Sequence, residues 1–248
     1  MYMNSFIAWI GGKKLLRKQI IEMFPDNFER YIEVFGGAGW VLFGKEQHAK
    51  FEVFNDYNSE LVNLYKSMKY HPKAIEEEYS WTIQSREIFN DMLDSNISGL
   101  TEIQRASRYL FLIKSSFSAS RRTFATRPNN LSIKELEKVT NRLKKVVIEN
   151  KDFQNLIKVY DRNDALFYLD PPYHKTEKYY DNVFSESDHL RLKETLDGIK
   201  GKFILSYNDD EYIRNLYKGY NIIETERNNN IATQKGKEKY KELIIKNY

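Results

Sequence analysis

Seven short apolar segments, most of them separated by longer helical patterns, place the tightest limits on how this chain can fold. Each segment has the length of a β-strand and is rich in β-branched or aromatic residues. The segments span residues 31–35, 51–54, 146–149, 165–169, 202–206, 220–224 and 243–246. Strands that alternate with helices predict an α/β fold with a largely parallel sheet.

Helix signals between the strands support this assignment. Residues 58–69 and 185–198 both carry helical patterns. In the second pattern, Ser185 and Asp188 form an S-x-x-D capping signal, and Gly198 is a stop signal. The last two predicted strands flank a basic stretch, which predicts a terminal hairpin added to the sheet.

The alternation is interrupted between about residues 69 and 141, where the chain is mostly helical and polar. The total of 248 residues suits one large domain, or one domain with a sizeable insertion. We therefore predict a main domain formed by residues 1–68 and 142–248, and a separate lobe formed by residues 69–141.

Composition narrows the chemistry that the chain can use. The absence of cysteine excludes disulfides, a cysteine-ligated metal and a thiolate nucleophile. Four scattered histidines without an H-x-x-x-H pattern argue against a zinc site. No apolar run reaches the roughly 18 residues of a membrane span, and the N-terminus lacks a signal-peptide core, so we expect a cytoplasmic protein. The net charge of +4 permits a polyanionic partner without requiring one.

A glycine-rich turn, F-G-G-A-G at residues 35–39, follows the first predicted strand. Glycines at such a turn let the backbone approach a ligand closely. The pattern is neither a complete G-x-G-x-x-G nor a P-loop. A plain tight turn therefore stays open beside a nucleotide-like ligand.

Asp56 follows the second predicted strand. An acid at this place can bind both hydroxyl groups of a ribose, and its distance from the glycine turn is close to the roughly 20 residues expected for that role. The alternative is that Asp56 caps the next helix. Together, the turn and the acid favour an adenosine-type ligand.

The motif D-P-P-Y, residues 170–173, ends the fourth predicted strand. Neither proline has an N–H group, so the strand cannot continue past Asp170. Ligands of open α/β sheets gather at the carboxyl ends of the strands, where all three clusters are expected to lie. A rigid turn without chemistry is the alternative.

The ordered set of motifs resembles the Dam-type (D12 class) DNA N6-adenine methyltransferases over nearly the whole chain. The resemblance rests on A-W-I-G-G-K at 8–13, the glycine turn at 35–39, Asn55 with Asp56, K-D-F at 151–153, D-P-P-Y at 170–173, F-I-L-S-Y-N at 203–208 and the closing strand at 239–247. D-P-P-Y alone is shared by several amino-group methyltransferases, whereas the ordered set is more specific. The resemblance implies a Rossmann-like S-adenosylmethionine-dependent methyltransferase sheet with a mostly helical target-recognition insertion.

For the cofactor, the resemblance implies S-adenosyl-L-methionine as methyl donor, S-adenosyl-L-homocysteine as product, and no metal. The implied cofactor-binding residues are Trp9, Lys13, Phe35, Gly36, Gly37, Gly39, Asp56, Asp152, Phe153 and Asp170. Lys13 is expected to pair with the methionine carboxylate and to restrain Asp170 electrostatically.

The expected reaction explains why D-P-P-Y carries these residues. An exocyclic aryl amine is a poor nucleophile, because its lone pair is delocalised into the ring. We expect the Asp170 carboxylate and the Pro171 carbonyl, held in direction by Pro172, to accept its two N–H bonds and favour its pyramidal form. Tyr173 is expected to stack on the flipped base. No covalent intermediate is needed, and the absence of cysteine argues against cytosine C5 methylation.

Target recognition is expected to rest on the insertion and on two further loops. The predicted DNA contacts are Ser118, Arg121, Arg122, Arg127, Tyr180, Lys235 and Lys237, and Tyr179 is a further candidate neighbour of the flipped base. Arginine suits bidentate contact with guanine as well as contact with phosphates. Enzymes of the family that read GATC show an N-G-x-x-R-x-N-like stretch where this chain has S-F-S-A-S-R-R, residues 116–122, so a GATC target is in doubt.

Three alternatives to adenine methylation stay open: N4 methylation of cytosine in DNA, methylation of an amine on RNA, and a non-catalytic DNA-binding relative. The expected partner is double-stranded DNA, bound by a monomer or a weak dimer of bacterial or phage origin. A cognate restriction endonuclease is a further candidate partner.

Overall fold

A computed structural model of the chain describes residues 3–125, 133–175, 184–228 and 239–248. The strands are β1 Arg30–Glu33, β2 Phe51–Asn55, β3 Val146–Glu149, β4 Ala165–Leu169, β5 Lys202–Asn208, β6 Asn221–Asn228 and β7 Lys239–Lys246. The helices are α1 Arg17–Glu22, α2 Ser59–Tyr70, α3 Pro72–Ser80, α4 Arg86–Asp94, α5 Glu102–Lys114, α6 Ile133–Leu143, α7 Phe153–Tyr160, α8 Glu186–Asp197 and α9 Glu211–Leu216. Each strand overlaps one of the seven predicted segments, which confirms the α/β fold.

All strands belong to one sheet with the order β3-β2-β1-β4-β5-β7-β6. Strands β1 to β5 pair in parallel, whereas β7 is antiparallel to both β5 and β6. The strand order reverses between β1 and β4, and their carboxyl ends form the switch point where ligands of such sheets bind. The predicted terminal hairpin is confirmed, with its second strand inserted between β5 and β6.

Local capping determines where the helices begin. The Asn58 side chain accepts hydrogen bonds from the backbone N–H groups of Glu60 and Leu61 and so caps α2. At α8, Ser185 and Asp188 form the predicted capping box, and the helix ends at Gly198. Asn58 rather than Asp56 is therefore the α2 cap, which removes the alternative reading of Asp56.

Two clusters of buried side chains cover the two faces of the sheet. One cluster joins sheet residues such as Tyr31 and Phe54 to residues of the insertion such as Leu110 and Leu136. The other packs β4 and β5 residues such as Phe167 against α7 and α8. Since the helices of residues 69–141 share a continuous core with the sheet, they are held firmly beside the strand ends. The division of roles between residues 69–141 and the rest of the chain stays a prediction.

A buried ion pair fastens α6 to the sheet. Arg142 donates to both carboxylate oxygens of Glu52 on β2, at 2.6 and 2.8 Å, and to the carbonyl oxygens of Leu42 and Lys45, each at 2.9 Å. A buried charge is tolerated when its donors are satisfied in this way. Arg142 belongs to a basic sequence run, yet it is buried while its neighbour Lys145 is exposed.

Among the helices of the described ranges, none has both the length and the apolar character needed to cross a membrane.

Candidate active site

The glycine turn after β1 forms one wall of a cavity at the carboxyl edge of the sheet. Gly37 and Gly39 have φ angles of +50° and +63°, which favour glycine. Gly36 has no room for a side chain, because an added Cβ would lie 2.2 Å from the Phe54 ring. The turn can therefore present its backbone to a ligand.

Asp56 holds the glycine turn in place. Its Oδ2 accepts a hydrogen bond from the Gly37 N–H at 2.8 Å, and its Oδ1 accepts one from the Asn58 N–H at 2.8 Å. Burial raises the pKa of the Asp56 carboxyl, and these backbone N–H groups act in the opposite direction. Asp56 therefore lies in the cavity wall as the sequence predicts.

Asn55 ties three strand ends together, a role that the sequence did not reveal. Its side-chain amide donates to the carbonyl oxygens of Val34 at 2.9 Å and Lys151 at 3.1 Å, and accepts from the Lys151 N–H at 2.8 Å. These bonds fix the ends of β1, β2 and β3 relative to one another. The segments that line the cavity on this side are thus held in register.

Aromatic rings and a salt bridge form the far end of the cavity. Phe153 lies 5.7 Å from Phe35 and 5.8 Å from Phe184, measured between ring centroids. Arg191 lies 4.1 Å above the Phe153 ring and donates to both carboxylate oxygens of Asp152, at 2.8 and 2.9 Å. We call the end of the cavity that these three rings line the aromatic slot. Its apolar surface with a carboxylate at the edge suits contact with a planar, hydrogen-bonding ring.

The D-P-P-Y motif occupies the opposite end, directly after β4. The Lys13 ammonium lies 2.7 and 2.8 Å from the two carboxylate oxygens of Asp170 and donates to the Gly11 carbonyl at 3.1 Å. Lys13 is only 4% exposed, whereas the side chain of Asp170 is 17% exposed and lines the cavity. Asp170 is thus positioned by a buried charge behind it and open toward the ligand.

Tyr173 is anchored beneath this pair by a residue of the last strand. Its hydroxyl donates to Glu242 Oε2 on β7 at 2.9 Å, and the Lys13 ammonium lies 4.6 Å from its ring centroid. Burial raises the pKa of Tyr173 well above its usual range. Glu242 is 1% exposed and its Oε2 lies 4.0 Å from Lys13, so β7 contributes directly to the geometry of the motif.

Glu33, at the end of β1, is a buried acid in the same cavity lining. Burial raises its pKa from 4.5 to about 8, although Tyr31 donates a hydrogen bond to its Oε2 at 2.7 Å and lowers the pKa. An acid of this kind is protonated at neutral pH in the absence of a nearby cation. No local pattern in the sequence distinguishes Glu33 from other charged strand residues.

The cavity has a volume of about 330 Å³ and joins the three clusters that the sequence predicts to meet. Predicted residues in its lining are Trp9, Lys13, Phe35, Gly36, Gly37, Asp56, Asp152, Phe153, Asp170 and Pro172. Gly39, Pro171 and Tyr173 are buried next to it. A family model described as D12 class N6 adenine-specific DNA methyltransferase matches residues 9–231, from Trp9 past D-P-P-Y.

This chain belongs to that family.

Curated relatives of this D12-class methyltransferase match it over almost its whole length. The Type II methyltransferase M1.LlaDCHI of Lactococcus lactis subsp. cremoris is 29% identical, covering 99% of this chain and 96% of the relative. The Type II methyltransferase M.MjaIII of Methanocaldococcus jannaschii is also 29% identical, with full coverage of both. The DNA adenine methylase of Haemophilus influenzae is 23% identical over 97% of this chain and 92% of the relative.

The residues predicted to contact DNA differ in where the structure places them. In this D12-class chain Arg121 is 8% exposed, lines the cavity, and stacks its guanidinium 4.5 Å from the Trp9 ring. Ser118 and Arg122 are exposed in the loop after α5, where Ser118 has a φ of 53°. Arg127, Tyr179, Tyr180, Lys235 and Lys237 lie outside the described residues.

In the described ranges, no group of three or more His, Asp or Glu side chains is arranged to hold a metal ion. The polar side chains that converge on the cavity do so around Asp56, Asp152 and Asp170, which lie in separate parts of its lining.

Proposed function

We propose that this protein transfers a methyl group from S-adenosylmethionine to the exocyclic N6 of a flipped adenine in duplex DNA. The observation that carries the proposal is the exposed face of Asp170. It opens from the carboxyl end of β4 into the cavity that also holds Asp56 and the aromatic slot. One cavity thus joins an amine-binding acid to a nucleoside-type site.

The lining fits each part of the proposed cofactor. The aromatic slot suits the adenine ring, and Asp152 at its edge suits the ring's amino group. Asp56 suits the ribose hydroxyls, as predicted for an acid after the second strand. Glu33 and Lys13 lie near the other end of the cavity. There they would contact the ammonium and the carboxylate of the methionine part of the cofactor. S-adenosylmethionine, when bound, supplies an electrophilic methyl group on its sulfonium.

Asp170 and the Pro171 carbonyl would then hold the target amine. Both accept hydrogen bonds, and together they would orient the nitrogen lone pair toward the methyl group. The Lys13 ammonium, 2.7 Å from Asp170, fixes the orientation of the carboxylate before the base arrives. Placement of this kind lowers the barrier, because little reorganisation is left for the transition state.

The same proposal assigns Tyr173 as the stacking neighbour of the base. Its ring is fixed from below by the hydrogen bond to Glu242, so it would offer a rigid surface. Base stacking on an aromatic ring contributes about 1–3 kcal/mol, which offsets part of the few kcal/mol required for flipping.

One experiment identifies the substrate. The protein is incubated with labelled S-adenosylmethionine and plasmid DNA, the DNA is digested to nucleosides, and the methylated base is identified. We expect N6-methyladenine. Label in N4-methylcytosine alone, or in RNA alone, would contradict the proposal, as would DNA binding with no label at all.

We also propose that the enzyme is the modification half of a Type II system acting in the cytoplasm, as the names of the relatives suggest. Plasmid recovered from cells that express the protein should resist one Type II endonuclease in a panel. The protected endonuclease would reveal the recognition sequence. Sensitivity to the whole panel, despite confirmed N6-methyladenine in the plasmid, would count against the modification role.

A further inference from the structure

A second, larger cavity lies beside the active site. It has a volume of about 980 Å³ and runs between the N-terminal segment 3–8, residues 45–47 and the helix α6. Trp40 lines both cavities, so the two share part of a wall. Lys14, which follows the active-site residue Lys13, also lines it. We call this second cavity the lysine groove.

The lining of the lysine groove carries more positive than negative side chains. Its lining includes five lysines, namely Lys14, Lys45, Lys114, Lys138 and Lys145. The carboxylates in the lining are Glu46 and Glu52, and Glu52 is neutralised by the buried Arg142. Four of the lysines, all except the half-buried Lys114, are exposed. Among the described residues, these four form no ion pair with a carboxylate.

The lysines of the groove are arranged on an ordered part of the fold and are not scattered over an exposed face. Lys138, Asn141, Arg142 and Lys145 follow one another at helical spacing along one side of α6 and its end, and all four line the groove. Arg142 anchors that side to β2 through its bidentate bond with Glu52. Phe6, Ile7, Leu136 and Val139 form a buried apolar floor. The lysine ammonium groups are therefore carried by a part of the protein that packing and the Arg142–Glu52 ion pair hold in place.

A row of lysines, four of which are exposed and form no ion pair among the described residues, matches a particular class of ligand. Lysine acts as a mobile point charge toward phosphates, whereas arginine is preferred where a planar group is recognised. The lysines are spread along an open groove rather than gathered around one point, which suits repeated charges better than a single phosphate. Trp40 lines this groove and also the cavity that contains Asp170, the residue proposed to hold the target amine.

We propose that the lysine groove binds the sugar–phosphate backbone of the DNA that flanks the target base. The inference rests on the proposed function insofar as it takes DNA as the substrate. Contacts of this type position the duplex without reading its sequence. An acidic surface of a protein partner is the competing occupant, and the experiment below separates it.

The test compares two double variants of the full-length protein. Lys138→Gln/Lys145→Gln removes two groove charges, and Lys200→Gln/Lys218→Gln removes two exposed lysines that line neither cavity. Binding of a fluorescent non-cognate duplex is measured by anisotropy over a series of salt concentrations. Thermal unfolding checks that both variants are folded.

We expect the groove variant to bind more weakly and to lose salt dependence. Each lost phosphate contact lowers the magnitude of the slope of log K against log salt by about 0.9, so the double variant should lose nearly 2. The control variant should keep the wild-type slope. With methylated product as readout, the groove variant should raise KM for DNA and leave kcat at saturating DNA close to wild type.

A folded groove variant with the wild-type salt slope would overturn the proposal and point to a protein partner. The same conclusion would follow if Lys138→Glu/Lys145→Glu bound DNA normally. These outcomes are separate from failure of the proposed function, since the methylated base is identified with unaltered protein. A wild-type protein that methylates N4 of cytosine would leave the groove proposal standing, whereas one that binds no duplex at all would overturn both.

Discussion

Lys13 and Asp170 concentrate the chemistry of the site in two side chains of opposite charge. Lys13 is almost fully buried and pairs with Asp170, while Glu242 lies farther away at 4.0 Å. Removing one member of a buried pair leaves the other charge without compensation. Substitutions at Asp170 are therefore expected to change both catalysis and stability, for separable reasons.

We expect Asp170→Ala to reduce methyl transfer by at least about 10²–10³-fold, the range associated with losing one preorganised polar group. Incorporation of labelled methyl groups measures the loss. The variant should keep its fold but unfold at a lower temperature, because the buried Lys13 side chain loses its carboxylate partner. Lys13→Met/Asp170→Ala should recover stability without recovering activity. Methylation retained by Asp170→Ala would show that another carboxylate holds the amine.

Glu242 lies on β7, far from D-P-P-Y along the chain, yet it contacts Tyr173 of that motif. It receives the Tyr173 hydroxyl and lies close to Lys13, yet it is not predicted to touch either substrate. Glu242 is therefore a positioning residue in this proposal. Its effect should depend on keeping an acceptor oxygen rather than on keeping a charge.

We expect Glu242→Ala to lower kcat about 10–100-fold, since small misplacements of reacting groups have effects of this size. Glu242→Gln, which keeps an oxygen for Tyr173, should recover most of that loss. Affinity for S-adenosylmethionine, measured by calorimetry, should be nearly unchanged in both variants. Equal losses in the Ala and Gln variants would contradict a role through the Tyr173 hydrogen bond.

At the scale of elements, the site depends on how tightly the β1 turn packs against β2. Gly36 lies against the Phe54 ring and accepts no side chain, while its N–H donates to the Asn55 carbonyl at 2.7 Å. Asn55 then connects the turn to the end of β3. This wall of the cavity is consequently held together across three strand ends.

Gly36→Ala should therefore destabilise the protein by about 1–3 kcal/mol, the usual cost of overpacking. It should also weaken S-adenosylmethionine binding, because the turn has to shift away from Phe54. Gly99→Ala is the matched control, since an added Cβ at Gly99 meets no atom within 4 Å. Chemical denaturation and calorimetry measure the two effects. A Gly36→Ala variant that behaves like Gly99→Ala would show that the turn is not constrained.

At the scale of the whole molecule, burial of Glu33 links global stability to pH. The folded-state pKa of about 8 lies above the ordinary value of 4.5. The folded protein therefore holds this proton more tightly than the unfolded chain does. The resulting stabilisation is complete below the lower value and is lost as pH rises through the higher one.

We expect Glu33→Gln to flatten this dependence. Between pH 5 and pH 8 the free energy of unfolding of wild type should fall relative to the variant by up to about 1.4 kcal/mol per pH unit. Urea unfolding at several pH values measures the difference. Glu77→Gln, at an exposed position on α3, should follow wild type. Parallel curves for wild type and Glu33→Gln would show that Glu33 ionises normally.

Much of the fold was open to prediction because local patterns agree with the tertiary result. The apolar segment Ala165–Leu169 is buried at every position, as expected for a central parallel strand. The Ser185 capping box and the Gly198 stop marked α8 correctly. The order of the last two strands was not predictable in this way, because pairing of β7 with β5 depends on contacts far apart in the chain.

The charged residues of the site show where prediction from sequence ended. Glu33 and Glu242 each lie within a strand, where a charged residue in an alternating pattern usually faces solvent. Arg121 belongs to a basic loop, and its guanidinium stacks on Trp9 in the cavity wall, a placement that the sequence does not indicate, while its contact with DNA stays a prediction. Such placements depend on which partners surround a side chain, and no local pattern encodes those partners.

By itself, the sequence determined the α/β fold and the three clusters at strand ends, D-P-P-Y among them, since each depends on spacing along the chain. Only the tertiary structure decided that Lys13 pairs with Asp170, that Glu242 of β7 holds Tyr173, and that scattered lysines form one groove beside Trp40. The physical reason is that burial, ion pairing and charge accumulation arise between residues that folding brings together from distant positions.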